Sequence, residues 1–226
     1  MGNGSQMKNL SAKKTVFFSL LLAFSFFAQS GVRIARLKYS GGGDWYNDPS
    51  AEINLLKFVA EKTNVKTVPE YVYVDAASPD IFNFPFLFAT GHGNMNLSDD
   101  EVRNLREYLK RGGFLYVDDD YGLDKYFRRE IKKIFPKKEL VELPFDYGLY
   151  HVFYDFPYGP PKIHEHDGKP PQGFGVFIGK RLAVYYTYES NPSDGWTDPE
   201  VHNDPENIRE EALKFGVNLI LWAITQ

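Results

Sequence analysis

Three apolar runs in this chain each empty into a turn of glycine or aspartate, and each turn leads into a helical repeat. Residues 32–39 (VRIARLKY) alternate apolar and polar side chains and run into Ser40, Gly41, Gly42, Gly43 and Asp44. Residues 84–89 (FPFLFA) form a continuous apolar stretch, which suits a central strand buried on both faces, and end at Thr90-Gly91-His92-Gly93. Residues 114–117 (FLYV) end in Asp118, Asp119 and Asp120. Strands that alternate with helices dictate a mostly parallel sheet covered on both faces.

The helical stretches carry their own signals. Asp48-Pro49 reads as an N-cap with Pro at the first helical position, and Ile53, Leu56 and Ala60 share one face of a helix expected over 49–62. Ser98-Asp99-Asp100-Glu101 is a full capping box; Val102, Leu105 and Leu109 follow, and Gly112-Gly113 stop the helix. Phe127, Ile131 and Ile134 mark a third helix, ended by Pro136. Asp204-Pro205 reads as the cap of a last helix striped with Ile208, Ala212, Phe215, Leu219 and Trp222. Residues 71–74 read as another strand, and 175–188 as a hairpin turning at Gly179-Lys180. Residues 140–172, rich in Pro, Gly, Tyr and His, are an irregular excursion. The expected fold is one flavodoxin-like, three-layer α/β domain, monomeric or weakly associating, over residues 31–226.

Residues 1–30 differ in kind. Lys8, Lys13 and Lys14 precede the apolar run 16–28 (VFFSLLLAFSFFA), and Ala28 and Ser30 place small residues before Gly31. This layout is that of a secretory signal peptide cleaved after Ser30. The run is shorter than the roughly 20 residues a spanning helix needs, so no permanent membrane anchor is expected. The expected location is periplasmic or secreted. Cleavage leaves a formal charge of −7, the −4 of the whole chain less three Lys, with no basic run; nucleic acid is not an expected partner. The chain has no Cys, which excludes disulfides, thiolate metal sites, thiol nucleophiles and a lipidated cysteine.

Ligands of open α/β sheets bind beyond the carboxyl ends of the strands. The loops at Gly41–Tyr46, His92 and Asp118–Asp120 leave strands at that edge. Three adjacent carboxylates repel one another, so water or a cation screens them or one is protonated; alternatively Asp120 caps the helix beginning near Leu123. Asp119 and Asp120, with His92, are the candidate catalytic groups. Asp119 is singled out because alternate residues at a strand end point to opposite sides. His92, His164 and His166 are candidate ligands of a divalent metal ion, although H-E-H is a weak metal signal that also suits a solvated turn. Asp44, Trp45 and Tyr46, with Asp118, are candidate ligand-binding groups, Trp45 stacking on a sugar ring while Asp44 binds hydroxyls; the same loop also reads as backbone geometry with Trp45 packed on the core. Asp194, Trp196 and His202 are candidates for a lid over this edge.

The segments KYSGGGDWYNDP, FPFLFATGHGNMNLSDDEV, LKRGGFLYVDDDYGLDKYFRREI, KIHEHDGKPPQGFGV and EEALKFGVNLILWAIT resemble the bacterial DUF4159 family, a domain of unknown function, across nearly all of residues 32–226. The resemblance implies a relative of the class I glutamine-amidotransferase-like fold. There a Cys nucleophile sits on a sharp turn after a strand, and the comparable position here holds Asp118, Asp119 and Asp120. Thiolate chemistry is excluded by composition. Three functions then compete: binding of an envelope carbohydrate or peptide, metal-assisted hydrolysis through His and Asp, and a protein-interaction module built on residues 140–172.

Overall fold

The computed structural model describes residues 31–226. The segment read as a signal peptide lies outside the described residues. Among the described residues no helix is long and apolar enough to cross a membrane.

Seven strands form one sheet: β1 Ile34–Lys38, β2 Tyr73–Asp75, β3 Phe86–Ala89, β4 Phe114–Asp118, β5 Val141–Glu142, β6 Gln172–Ile178 and β7 Arg181–Tyr188. Their order is β2-β1-β3-β4-β7-β6-β5. The first five in that order run parallel, and β6 and β5 add antiparallel at one edge. The order reverses at β1/β3, which is the crevice where doubly wound sheets bind ligands.

The parallel strands β1, β3, β4 and β7 are buried on both faces, so odd and even residues feed two cores, whereas the edge strand β2 buries only Val74. Leu37, Leu87, Val117 and Tyr186 meet α2 (Asp99–Lys110) and α3 (Asp124–Ile134) through Leu105, Leu109, Phe127 and Ile131. Phe86, Phe88, Tyr116 and Tyr185 meet α1 (Ala51–Lys62) and α5 (Glu206–Thr225) through Leu55, Val59, Phe215 and Leu219. The result is the flavodoxin-like sandwich of helices on both faces. The capping box forms as the sequence predicts, with Ser98 bonded to the Glu101 amide and Glu101 to the Ser98 amide. Gly112, at φ 110°, ends that helix.

Two capping expectations fail. Asp48 does not cap α1: it lies at φ 51°, the helix starts at Ala51 after Ser50, and the Ser50 hydroxyl accepts the Asp198 amide instead. Asp204 does not cap α5, whose N-cap position is Pro205; its carboxylate is bonded to His164. In both cases a long-range partner takes the side chain that the local pattern assigns to the helix. The excursion 140–172 packs Leu149, Tyr150 and Phe156 onto α5 and leaves Phe145, Phe153 and Tyr158 exposed.

Candidate functional site

Four connections converge at the carboxyl edge: β1–α1, the loop after β3, the turn after β4, and the loop after β7 together with the 161–167 strip. Arg36 holds the first. It is fully buried in mid-strand, donates to Glu52 at 2.5 and 2.8 Å, and stacks over Phe88. Its remaining N–H groups donate to the carbonyls of Trp45 and Asn47, at 3.0 and 2.8 Å. A strand residue thus fixes the backbone that presents Asp44, Asn47 and Asp48. Glu189 holds the 161–167 strip by accepting from the Asp167 amide and Lys162, while the Ile163 amide donates to the Ser190 carbonyl.

The triple aspartate separates into three roles because successive side chains diverge at the strand end. Asp118 is fully buried and fully bonded: Thr187 donates at 2.5 Å, and the Ser193 amide and hydroxyl at 2.9 and 2.7 Å. Burial pushes its carboxyl up to about 7, against the lowering effect of those bonds. Asp119 accepts the Leu123 amide at 2.8 Å, the helix-turn role that the sequence reading offered to Asp120; burial raises it to about 6. Asp120 faces the cleft and accepts from Asn47 and Asn191. Burial, then the nearby carboxyls of Asp194, Asp118 and Asp48, raise it furthest of the three.

Asp194 is the hub. It is buried beside Asp120, and Asn191 bonds to both. His164 Nδ1 lies 2.6 Å from Asp194 Oδ2, while His164 Nε2 lies 2.9 Å from Asp204. His202 Nε2 lies 3.4 Å from Asp48 Oδ1 and 3.9 Å from Asp194 Oδ1. Burial would raise the Asp194 carboxyl, but the bonds from His164 and Asn191 and the His202 ring hold it below its ordinary value. The Asp194 bond in turn lifts His164 to about 9 against the effect of burial. Asp48 is raised, chiefly by burial.

These groups border a cleft of about 500 Å³, lined by His92, Asp120, Tyr121, His164, Glu165, His166, Asn191, Asp194 and His202. Donor atoms of His164, Asp194 and His202 lie within 4.8 Å of one another, and so do those of Asp48, Asp120 and Asp194. Asp194 Oδ1 and His202 Nε2 are buried without a hydrogen-bond partner. Orphaned buried polar atoms are rare in folded proteins.

The sequence-named residues are distributed unevenly around this centre. His92 is beside it, 3.0 Å from Asp44 and 3.5 Å from Asp120. His166 lines the cleft edge-on to Tyr121, and burial lowers its pKa. Tyr46 is exposed next to half-buried Trp45, with Tyr73 on the other side. Trp196 is no lid residue: it is fully buried, donates to the Ala212 carbonyl and packs against Phe88 and Tyr116. Asp118 and Asp119 lie beneath the cleft, outside its lining. Asp48, Asn47, Asn191 and Asp204 join the centre although sequence reasoning gave them no part in it. The irregular turns around Asn191 and Asn203, a general feature of ligand loops, were the available signal.

The family model described as Domain of unknown function (DUF4159) matches residues 33–224. The chain belongs to that family. None of the curated proteins compared with it matches. The match runs from β1 to the last turn of α5, so every residue of the cleft falls within the DUF4159 domain.

Proposed function

We propose that this DUF4159 domain holds a divalent cation at its carboxyl edge and hydrolyses a polar ligand there. One observation carries the reading: the carboxyls of Asp48 and Asp120 and the imidazoles of His164 and His202 converge on buried Asp194, and Asp194 Oδ1 and His202 Nε2 face each other without hydrogen-bond partners. Mixed imidazole and carboxylate donors suit zinc or manganese. Such an ion supplies Lewis acidity and lowers the pKa of water.

The chain's own groups support the remaining steps. Hydrolysis joins a water oxygen to an electrophilic carbon or phosphorus, breaks the bond to the leaving group, and moves one proton from the water to that group. His166 lines the cleft and burial favours its neutral form, so it suits accepting the proton and returning it to the leaving group. Exposed Tyr46 and Tyr73 around Trp45 favour an envelope carbohydrate, reached after export, as the ligand. The strand order and the turn after β4, where Tyr121 sits at φ 82°, support kinship with the amidotransferase-like fold, without its thiol.

Elemental analysis of protein purified without an affinity tag tests the reading. Bound zinc or manganese, a raised Tm on adding either ion, and loss of both in Asp194→Asn are expected. No bound metal together with no stabilisation would remove the cation and the hydrolytic scheme with it.

A further inference from the structure

We infer that the centre takes two divalent cations, bridged by Asp194. The inference rests on the cation reading above and adds a second ion to it. Asp194 belongs to both donor groups, His164/Asp194/His202 and Asp48/Asp120/Asp194. Its two oxygens face different partners: Oδ2 faces His164 at 2.6 Å, and Oδ1 faces His202 at 3.9 Å, beyond which lies Asp48. A carboxylate shared by two donor groups, with its oxygens facing different partners, is placed to bridge two ions about 3.5–4 Å apart.

Donor count and charge favour two ions over one. Asp48, Asp120, Asp194, His164 and His202 present more groups than the four ligands usual for zinc. Once cations displace the protons of these groups, three carboxylates carry more negative charge than one divalent ion offsets, and Asn47 and Asn191 supply only neutral donors to Asp120. His164 is arranged as a ligand: Nε2 is held by Asp204 at 2.9 Å, as in a carboxylate–histidine–metal arrangement, and a cation would replace the proton that Nδ1 shares with Asp194 Oδ2 at 2.6 Å. The second observation beyond the acidic cluster is Asp194 Oδ1, on a side chain 3% exposed, aimed into the centre without a partner.

Stoichiometry separates the outcomes. Tag-free protein, stripped with EDTA, is dialysed against zinc or manganese, and bound ions are counted by elemental analysis. Two ions per chain are expected, with an exchange-coupled manganese signal in electron paramagnetic resonance. His164→Gln should bind one ion and lose the coupled signal; Asp48→Asn should do the same from the other side. One ion per wild-type chain overturns the pair and leaves the single-cation reading standing, whereas none overturns both. Should either variant fail to fold by circular dichroism, the wild-type count and the coupled signal still decide.

Discussion

EDTA-treated protein should lose stability as pH rises from 5.5 to 8. Asp118 and Asp119 have folded pKa values near 7 and near 6, above the ordinary 3.8 that the unfolded chain restores. A carboxyl raised on folding holds its proton more tightly in the native state. Its contribution is therefore complete below pH 3.8 and disappears as pH passes the folded value. At pH 5.5 the native Asp118 is mostly protonated while the unfolded one is ionised, a difference of about 2 kcal/mol that is gone by pH 8. Asp119 adds about 1 kcal/mol over the same interval. Asp120, also raised, and His164, lifted to about 9, act with the same sign. Urea denaturation of EDTA-treated protein at the two pH values should show a loss of about 3 kcal/mol or more. Asp118→Asn should narrow that loss by about 2 kcal/mol, since the amide cannot titrate but still presents one acceptor to Ser193. Stability that stays level, or increases, between pH 5.5 and 8 refutes the assignment of burial as the dominant force on these carboxyls.

Glu52→Ala should destabilise by about 3–5 kcal/mol in urea, because it strands the buried Arg36 guanidinium; a loss below about 1 kcal/mol would mean that the Trp45 and Asn47 carbonyls suffice. Ser98→Ala removes the acceptor for the Glu101 amide and should lower stability by about 1 kcal/mol, with no change in metal content.

The sequence discloses the scaffold because each strand–turn–helix unit is a local pattern. FPFLFA is apolar throughout since β3 is buried on both faces, and the Ser98 box is complete within four residues. The centre is less legible because its residues are assigned by distant partners. Asp48 and Asp204 precede prolines and read as caps, yet His202 and His164 claim them across 154 and 40 positions. Arg36 sits where an alternating strand reads as solvent-facing, and only the fold reveals Glu52 and the loop carbonyls around it. The reading of 118–120 as a place of electrostatic tension points to the corner where Asp120 borders the cleft. Which carboxyl reaches the cleft depends on Thr187, Ser193, Leu123 and Asn191, none of which is adjacent in sequence.

Backbone strain collects in the same place. Among the described residues the non-glycine positions with positive φ are Asp48, Tyr121, Glu189, Asn191 and Asn203. Asp48 follows β1, Tyr121 follows β4, and Glu189 and Asn191 follow β7; Asn203 ends α4 (Pro199–His202), which carries His202. Asn and Asp tolerate this region, but Tyr and Glu do so at a cost of about 1 kcal/mol or more each. An edge that only had to close the sheet would use glycine at Tyr121 and Glu189, as it does at Gly91 and Gly122. Instead the strained turns aim Tyr121 along the cleft and set Glu189 under the strip bearing His164 and His166. Strain, like-charge crowding and orphaned donors each oppose folding, and each occurs at this edge. On the proposed reading a bound cation would relieve them, offsetting the charge around Asp194 and giving Asp194 Oδ1 and His202 Nε2 a partner.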